Sequence, residues 1–439
     1  MVLTLLGFGM VIVFMTLIMT KRLSPLVALI TVPILFALIG GFGGSDLGKM
    51  MLDGIKTLAP TGVMLMFAIL YFSIMIDAGL FDPVVRRIVK AVGGDPLKVV
   101  MGSAILAAVV SLDGDGSTTY MLVTAAMLPL YRRLGMDALS LTCVAMLAGG
   151  VMNLTPWGGP LARAVSALQV EASDVFVPMI PAMVVGVAGV IGLSWVLGRR
   201  ERARLGVIDL DGSAESGIGA LLSADEGAQR LKRPRLLWLN ALLTVALMTC
   251  LILGVLPLSV LFMVAFSIAV VINYPCVKLQ RERIAEHAQN AMPVVAVIFA
   301  AGVFTGILSG TGMVQAMSDS FLAVIPDAWG PYLATITAVA SMPFTFFISN
   351  DAFYYGVLPV VSQAAGTYGI TPVEMARASL IGQPVHLLSP LVPSTYLLVG
   401  LAKVEFGDHQ KFTLKWAVLI CLLMLVTAIV GGVFPFFAS

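Results

Sequence analysis

Charge is scarce in this chain. Asp, Glu, Lys and Arg make up 11% of its 439 residues, where an ordinary soluble domain carries about 25%, and 59% of the residues are hydrophobic. That composition excludes a water-soluble globule and belongs to a membrane protein. An excess of one sign is lacking too: a net charge of +2 is too small for a nucleic-acid-binding surface. Cysteine is sparse and dispersed. Cys143, Cys250, Cys276 and Cys421 form no CxxC pair and have no histidine cluster beside them, so neither a disulfide framework nor a structural metal is expected. "MVLTLLGFGMVIVFMTLIMTKRL" lacks the leading basic residues of a cleavable signal. Its Lys21 and Arg22 follow the apolar run, so the stretch reads as a first membrane span.

Long apolar runs are what the chain has. At about 20 residues per crossing, spans are predicted near 2–19, 25–43, 57–79, 177–197, 236–254, 258–275, 291–312 and 413–437. Two longer runs, 136–170 and 371–402, are interrupted by Pro and Gly and read as broken helices that cross once each. The stretches 97–130 and 332–366 carry polar clusters at their middles and read as re-entrant hairpins. Short cytoplasmic loops collect Lys and Arg, and this layout of ten crossings puts 22 of the 26 on one side. Lys49 and Lys56 fall outside, and Arg163 and Arg377 lie within membrane runs. Both termini are therefore expected outside a cell's inner (plasma) membrane, with 198–235 as a cytoplasmic loop. The Gly, Ser and Asp content of that loop reads as a linker without a core. His287 and His409 are expected in cytoplasmic loops.

The chain also repeats itself. Pro60 and Gly79 precede Pro293 and Gly312 by 233 residues, and Tyr120 and Gly135 precede Tyr354 and Gly369 by 234. "LTP" at 154–156 likewise stands 234 before "LSP" at 388–390, although Pro129 and Pro359 fall four residues out of step. Five crossings in the first half are an odd number, so the second half must enter the membrane upside down. The expected fold is an all-α polytopic membrane protein built from two inverted repeats, 1–200 and 236–439, joined by a linker at 201–235. Each repeat holds five spans and one hairpin. Such repeats with discontinuous helices mark many secondary transporters, with the site at the repeat interface near the bilayer midplane.

Four polar clusters stand in repeat-related pairs: "SLDGDGSTTY" with "FISNDAFYYG", and "NLTPWGGPLARA" with "HLLSPLVPSTYLLV". An aspartate at mid-helix costs about 2.5–3.5 kcal/mol on insertion scales, so such stretches survive only inside protein or around a water-filled cavity. Gly114, Gly116, Pro156, Gly158, Gly159, Pro390 and Pro393 break the helices there, and broken ends present N–H groups that suit a carboxylate. Candidate substrate-binding residues are Ser117, Thr118, Asn153, Thr155, Gly158, Gly159, Arg163, Ser349, Asn350, Ser389, Ser394 and Thr395. Arg163 is the favoured anion partner because it follows the "TPWGGP" break, with a structural ion pair as its other reading. His386 carries a proton or hydrogen-bonds a carbonyl. "DGDGS" is not a calcium loop, since the twelfth position from Asp113 is Thr124 rather than Glu. The GxGD order of an intramembrane aspartyl protease is absent as well.

"LDGDGSTTY", "NLTPWGGP" and "SNDAFYYGVLPV", in this order over essentially the whole chain, resemble the citrate-metal:proton symporter family (CitMHS) of the ion transporter superfamily. The resemblance implies no enzyme activity. It implies uptake of citrate complexed with a divalent cation, Mg2+ or Ca2+, coupled to H+ and without any other cofactor. It further implies an elevator-type homodimer with scaffold and transport domains and two opposed hairpins. Related dicarboxylate carriers hold a Ser-Asn-Thr motif at the hairpin tips; Ser349 and Asn350 match it, while Asp351 replaces the threonine. That departure turns the expectation from sodium toward protons or a metal-bearing cargo. Asp113, Asp115, Asp351 and His386 are the candidates for proton coupling, and the three aspartates also for a place near the substrate-borne cation. A different organic anion, such as gluconate, tricarballylate or a dicarboxylate, is the alternative cargo.

Overall fold

The computed structural model describes residues 2–92, 94–114, 116–207, 226–324 and 326–438. Among these the protein is wholly helical. Among the described residues six helices are long and apolar enough to cross a membrane: Gly44–Asp77, Pro96–Asp113, Ala172–Leu205, Pro234–Ile252, Val277–Gly310 and Phe406–Val430. Shorter apolar helices such as Val2–Ile18, Pro25–Ile39 and Leu258–Asn273 accompany them.

Helix boundaries recur along the chain. Helix α3 (Gly44–Asp77) and helix α13 (Val277–Gly310) are each 34 residues long, and the second begins and ends 233 residues after the first. Helices α7 (Ala138–Met152) and α8 (Gly159–Leu168) are followed 234 residues later by helices starting at Pro372 and Pro393. The local causes recur with the bounds. Gly135 and Gly369 both take positive φ, 67° and 79°, which turns the chain where other residues would strain. Asp137 and Thr371 then cap the next helices, accepting from the backbone N–H of Leu139 and Glu374. Gln169 and Lys403, also 234 apart, close α8 and its counterpart in the left-handed conformation.

Helices α3 and α13 cross back to back. A Cβ on Gly54 would run into the carbonyl of Gly302, and one on Gly306 into the carbonyl of Met50. A Cβ on Gly310 would lie 2.6 Å from Met50 Cγ. Small residues spaced by four let two backbones approach this closely where lipid offers no hydrophobic drive between helices. Helices α11 (Leu237–Ile252) and α12 (Leu258–Asn273) are tied by a reciprocal amide pair. Asn240 Nδ2 donates to Asn273 Oδ1 at 2.8 Å, and Asn273 Nδ2 returns the bond at 2.9 Å.

Three expectations change. Helix α9 (Ala172–Leu205) runs past 201 into the stretch assigned to the linker, because Glu201 faces back onto the bundle and takes Arg204 Nη2 at 2.6 Å. Beyond 225 the linker is helical again at Glu226–Leu231, and Arg233 docks by its N–H on Ala78 O and its Nε on Asn273 O. His287 and His409 are not in loops. His287 sits within α13, and His409 lies fully buried in helix α20 (Phe406–Val430), with Nδ1 3.0 Å from Thr142 Oγ1.

Candidate functional site

The first polar cluster interrupts its helix as the composition demands. Helix α5 (Pro96–Val110) tightens into a single turn at Ser111–Asp113, and Gly114 then reverses the chain at φ +79°. A Cβ on Gly114 would stand 2.8 Å from Trp157 Cδ1, so a larger residue meets both backbone strain and the indole. Trp157 belongs to the break between α7 and α8. Its Nε1 donates to Leu112 O at 2.8 Å, and its ring packs on Phe72 and Phe262 at 4.9 and 5.3 Å. One tryptophan thus fastens the tip at 111–114 to the broken helix and both to α3 and α12. At the break, Gly158 N–H donates to Thr155 O at 2.8 Å, and a Cβ on Gly158 would collide with the Asn153 carbonyl.

Helix α8 restarts at Gly159 and carries Arg163 one turn in. Arg163 Nε donates to Asp351 Oδ1 at 2.6 Å, and Nη1 to Gly159 O at 3.0 Å. Asp351 lies 188 residues away at the tip of the other polar turn, so the pair joins the two halves of the chain. Ser349 Oγ accepts from Ala352 N–H at 3.1 Å, after which the chain widens into a π-helical stretch at Ala352–Val357. Tyr355 from that stretch meets Ser166 Oγ at 3.0 Å, and Ser166 in turn donates to Arg163 O. A widened turn of this kind is frequent at functional sites.

These elements enclose a cavity of 660 Å³. Asp113, Ser117, Thr118, Gly159, Arg163 and Asp351 line it, together with Gly114 and Trp157. Asn153, Thr155 and Gly158 form the break behind its wall. The remaining predicted residues lie outside the lining. Asn350 Nδ2 reaches Gln383 Oε1 at 3.4 Å, and His386 Nδ1 donates to the Thr345 carbonyl at 2.7 Å. Ser389 Oγ accepts from Leu391 N–H, and Thr395 Oγ1 donates to Leu387 O. Ser394 Oγ faces Gly116 at the start of the helix that leaves the first tip. Asp115 lies outside the described residues. Arg377, the other basic residue of the membrane runs, is remote: its guanidinium binds Asp174 O and Val433 O.

Sequence reasoning missed the opposite wall. Ser73 and Ile76 from the end of α3, and Asn290, Pro293 and Val294 from α13, face the tips across the cavity. Asn290 fell just ahead of the predicted span at 291, whereas α13 is already helical from Val277. The available signal was a carboxamide one turn before a helix-kinking proline.

Chemically, the described residues lining the cavity offer one guanidinium and two carboxylates, with hydroxyls from Ser117 and Thr118. Among the described residues no group of three or more His, Cys, Asp or Glu side chains is placed to hold a metal ion. Ser111, Thr119 and Thr155 keep buried hydroxyls without a protein hydrogen-bond partner around the first tip and break. Buried groups of this kind call for a further partner.

An apolar helical bundle whose two broken, polar turns meet over an internal charged cavity fits the class of multi-pass membrane transporters. Comparison with known proteins gives the family. Residues 14–382 match the citrate transporter family CitMHS, and the chain belongs to it. It is 60% identical over 434 residues to a citrate transporter of Bacillus subtilis (strain 168), covering 99% of this chain and 100% of that one. It is 53% identical over 430 residues to the Mg(2+)/citrate complex secondary transporter of the same organism, covering 98% of each. Among solved structures, the fold is similar to the YdaH transporter of Alcanivorax borkumensis at TM-score 0.53 and 14% identity over 89% of both chains. It is also similar to MtrF of Neisseria gonorrhoeae at TM-score 0.58 and 14% identity, over 87% of this chain and 83% of that one.

Proposed function

We propose that this protein is a secondary active transporter that carries citrate as its complex with a divalent metal ion, Mg2+ or Ca2+, together with protons. The observation that supports it most is the Arg163–Asp351 pair, which joins the two halves of the chain on the wall of one cavity that also holds Asp113. Citrate carries about three negative charges near neutral pH, and a divalent ion lowers the complex to about one, which reduces the cost of desolvation. Arg163 and the N-terminus of α8 then receive carboxylates. The cation arrives already chelated, in keeping with the lack of a three-ligand cluster among the described residues.

Charge balance supports the proton. With both aspartates ionised, the three described charged groups lining the cavity sum to one negative charge, and an anionic complex would meet repulsion. One proton taken up by Asp113 or Asp351 cancels that excess among the described groups and relieves the repulsion, leaving Arg163 to receive the anionic cargo. The B. subtilis relative described as a Mg(2+)/citrate complex secondary transporter supports the same cargo here.

In this reading the halves 1–200 and 236–439 are inverted repeats, and the tips near 111–116 and 348–351 belong to opposed hairpins. Both move as part of a transport domain against a scaffold that contains α3 and α13, in a homodimer with cytoplasmic 198–235. The test is labelled citrate uptake into proteoliposomes. Uptake is expected to require Mg2+ or a similar ion and to rise with an inward proton gradient. Equal uptake in chelator with sodium alone would refute the proposal.

A further inference from the structure

The crossing of α3 and α13 has two chemically opposite ends. At one end Met50 and Gly54 of α3 meet Gly306 and Gly310 of α13, with backbones pressed together and only backbone or methionine atoms nearest each glycine. Adding the repeat offset of 233 to Met50 and Gly54 leads to Arg283 and His287, and removing it from Gly310 leads to Asp77. These three make the other end. His287 Nε2 stands 2.6 Å from Asp77 Oδ2, Arg283 Nη1 is 3.6 Å from the same oxygen, and Arg283 Nη2 is 2.6 Å from Glu286 Oε2. The glycine end demonstrates that the crossing needs no charges to pack. Asp77 is also the last residue of α3, where the helix dipole opposes a carboxylate, so its presence calls for a reason other than helix stability.

That end adjoins the cargo cavity. Ser73 and Ile76 line the cavity immediately before Asp77, and Asn290 lines it one turn beyond His287. Asp77 and His287 have side chains only 15% and 12% exposed, so they form a largely buried acid–base pair beside the cavity.

We infer that the Asp77–His287 pair is the station through which the co-transported proton leaves the cavity, an inference that rests on the proton-coupled reading above. Donation of Nε2–H to Asp77 leaves Nδ1 as the basic nitrogen of the ring. Nδ1 takes one proton from the protonated aspartate in the cavity through water, and that aspartate becomes a carboxylate again. The imidazolium is balanced by Asp77 and passes the same proton to solvent, which restores the neutral ring. Other charged and titratable groups face the pair. Arg283 and Glu286 lie on α13, Tyr274 precedes that helix with Arg233 4.9 Å over its ring, and Lys232 binds Asp82 at 2.7 Å. Regeneration of the cavity carboxylate restores the repulsion that expels the anionic cargo.

The experiment compares native protein with His287→Gln and Asp77→Asn in proteoliposomes, measuring two fluxes of labelled Mg2+-citrate. Exchange against unlabelled Mg2+-citrate inside needs no net proton movement; uptake driven by a proton gradient does. Both variants are expected to keep exchange within about twofold while gradient-driven uptake falls about tenfold or more. Its dependence on internal pH should flatten as well. Unchanged driven uptake and pH profile in both variants would overturn the inference. So would a loss of exchange equal to the loss of driven uptake, which marks a purely structural role. A native protein indifferent to the proton gradient would overturn the proton-coupled reading and this inference together; a responsive native protein with unaltered variants overturns this inference alone.

Discussion

Replacing Arg163 by glutamine removes one cation and two hydrogen bonds, and the structure separates the consequences. In the native protein Nε serves Asp351 and Nη1 serves Gly159 O, which engages two of the five guanidinium N–H donors and leaves others for an anion in the cavity. A hydrogen bond to a charged group contributes about 1.5–3 kcal/mol, so losing one carboxylate contact should weaken Mg2+-citrate binding roughly 10- to 150-fold. Folding suffers as well. Removing one member of a buried ion pair costs about 3–5 kcal/mol, and side-chain exposures of 26% and 11% place this pair near the lower end. The stability loss should be largely reversed in Arg163→Gln combined with Asp351→Asn, since no buried charge is then left alone, while the binding loss should persist. Calorimetric titration of detergent-solubilised protein, with melting temperature measured alongside, reads both quantities. Affinity within about threefold of native in a natively melting Arg163→Gln protein would refute the assignment of Arg163 to the cargo. Recovery of affinity in the double variant would refute it too.

Three further outcomes follow from the packing. Gly54→Val places a side chain against the Gly302 carbonyl, where neither backbone has room to move; destabilisation of at least about 3 kcal/mol is expected, visible as loss of the monodisperse peak in size-exclusion chromatography. Gly48→Ala on the same helix meets nothing within 4 Å and should stabilise by about 0.5–1 kcal/mol. Trp157→Phe keeps the stack on Phe72 but deletes the bond to Leu112 O. Loosening the first tip by about 1 kcal/mol should raise amide exchange at 111–114 several-fold, and unchanged exchange there would show that the tip is held by other contacts.

The sequence by itself determined what depends on local chemistry and on solvent. Sparse charge set the bilayer as the medium, and Gly and Pro clustered with polar residues marked where helices break, whereas the isolated Pro60 and Pro293 stay inside unbroken helices. The repeat was legible because Gly135 and Gly369, and the caps Asp137 and Thr371, impose the same backbone states at one offset. Arg163 stood out because it follows the "TPWGGP" break inside an apolar run, where a guanidinium suits an anionic partner. Only the tertiary structure decided which one. Asp351 is 188 residues away, and pairing across such a distance depends on how the two halves pack, which local propensity does not encode. The same holds for Asn290 and Ser73 on the facing wall, and for His409, whose burial against Thr142 is invisible in a segment that reads as a charged loop. The asymmetry of the α3–α13 crossing is of this kind too. Met50, Gly54 and Gly310 are unremarkable as letters, and they acquire meaning beside Arg283, His287 and Asp77 because the fold sets the two triplets at opposite ends of one interface.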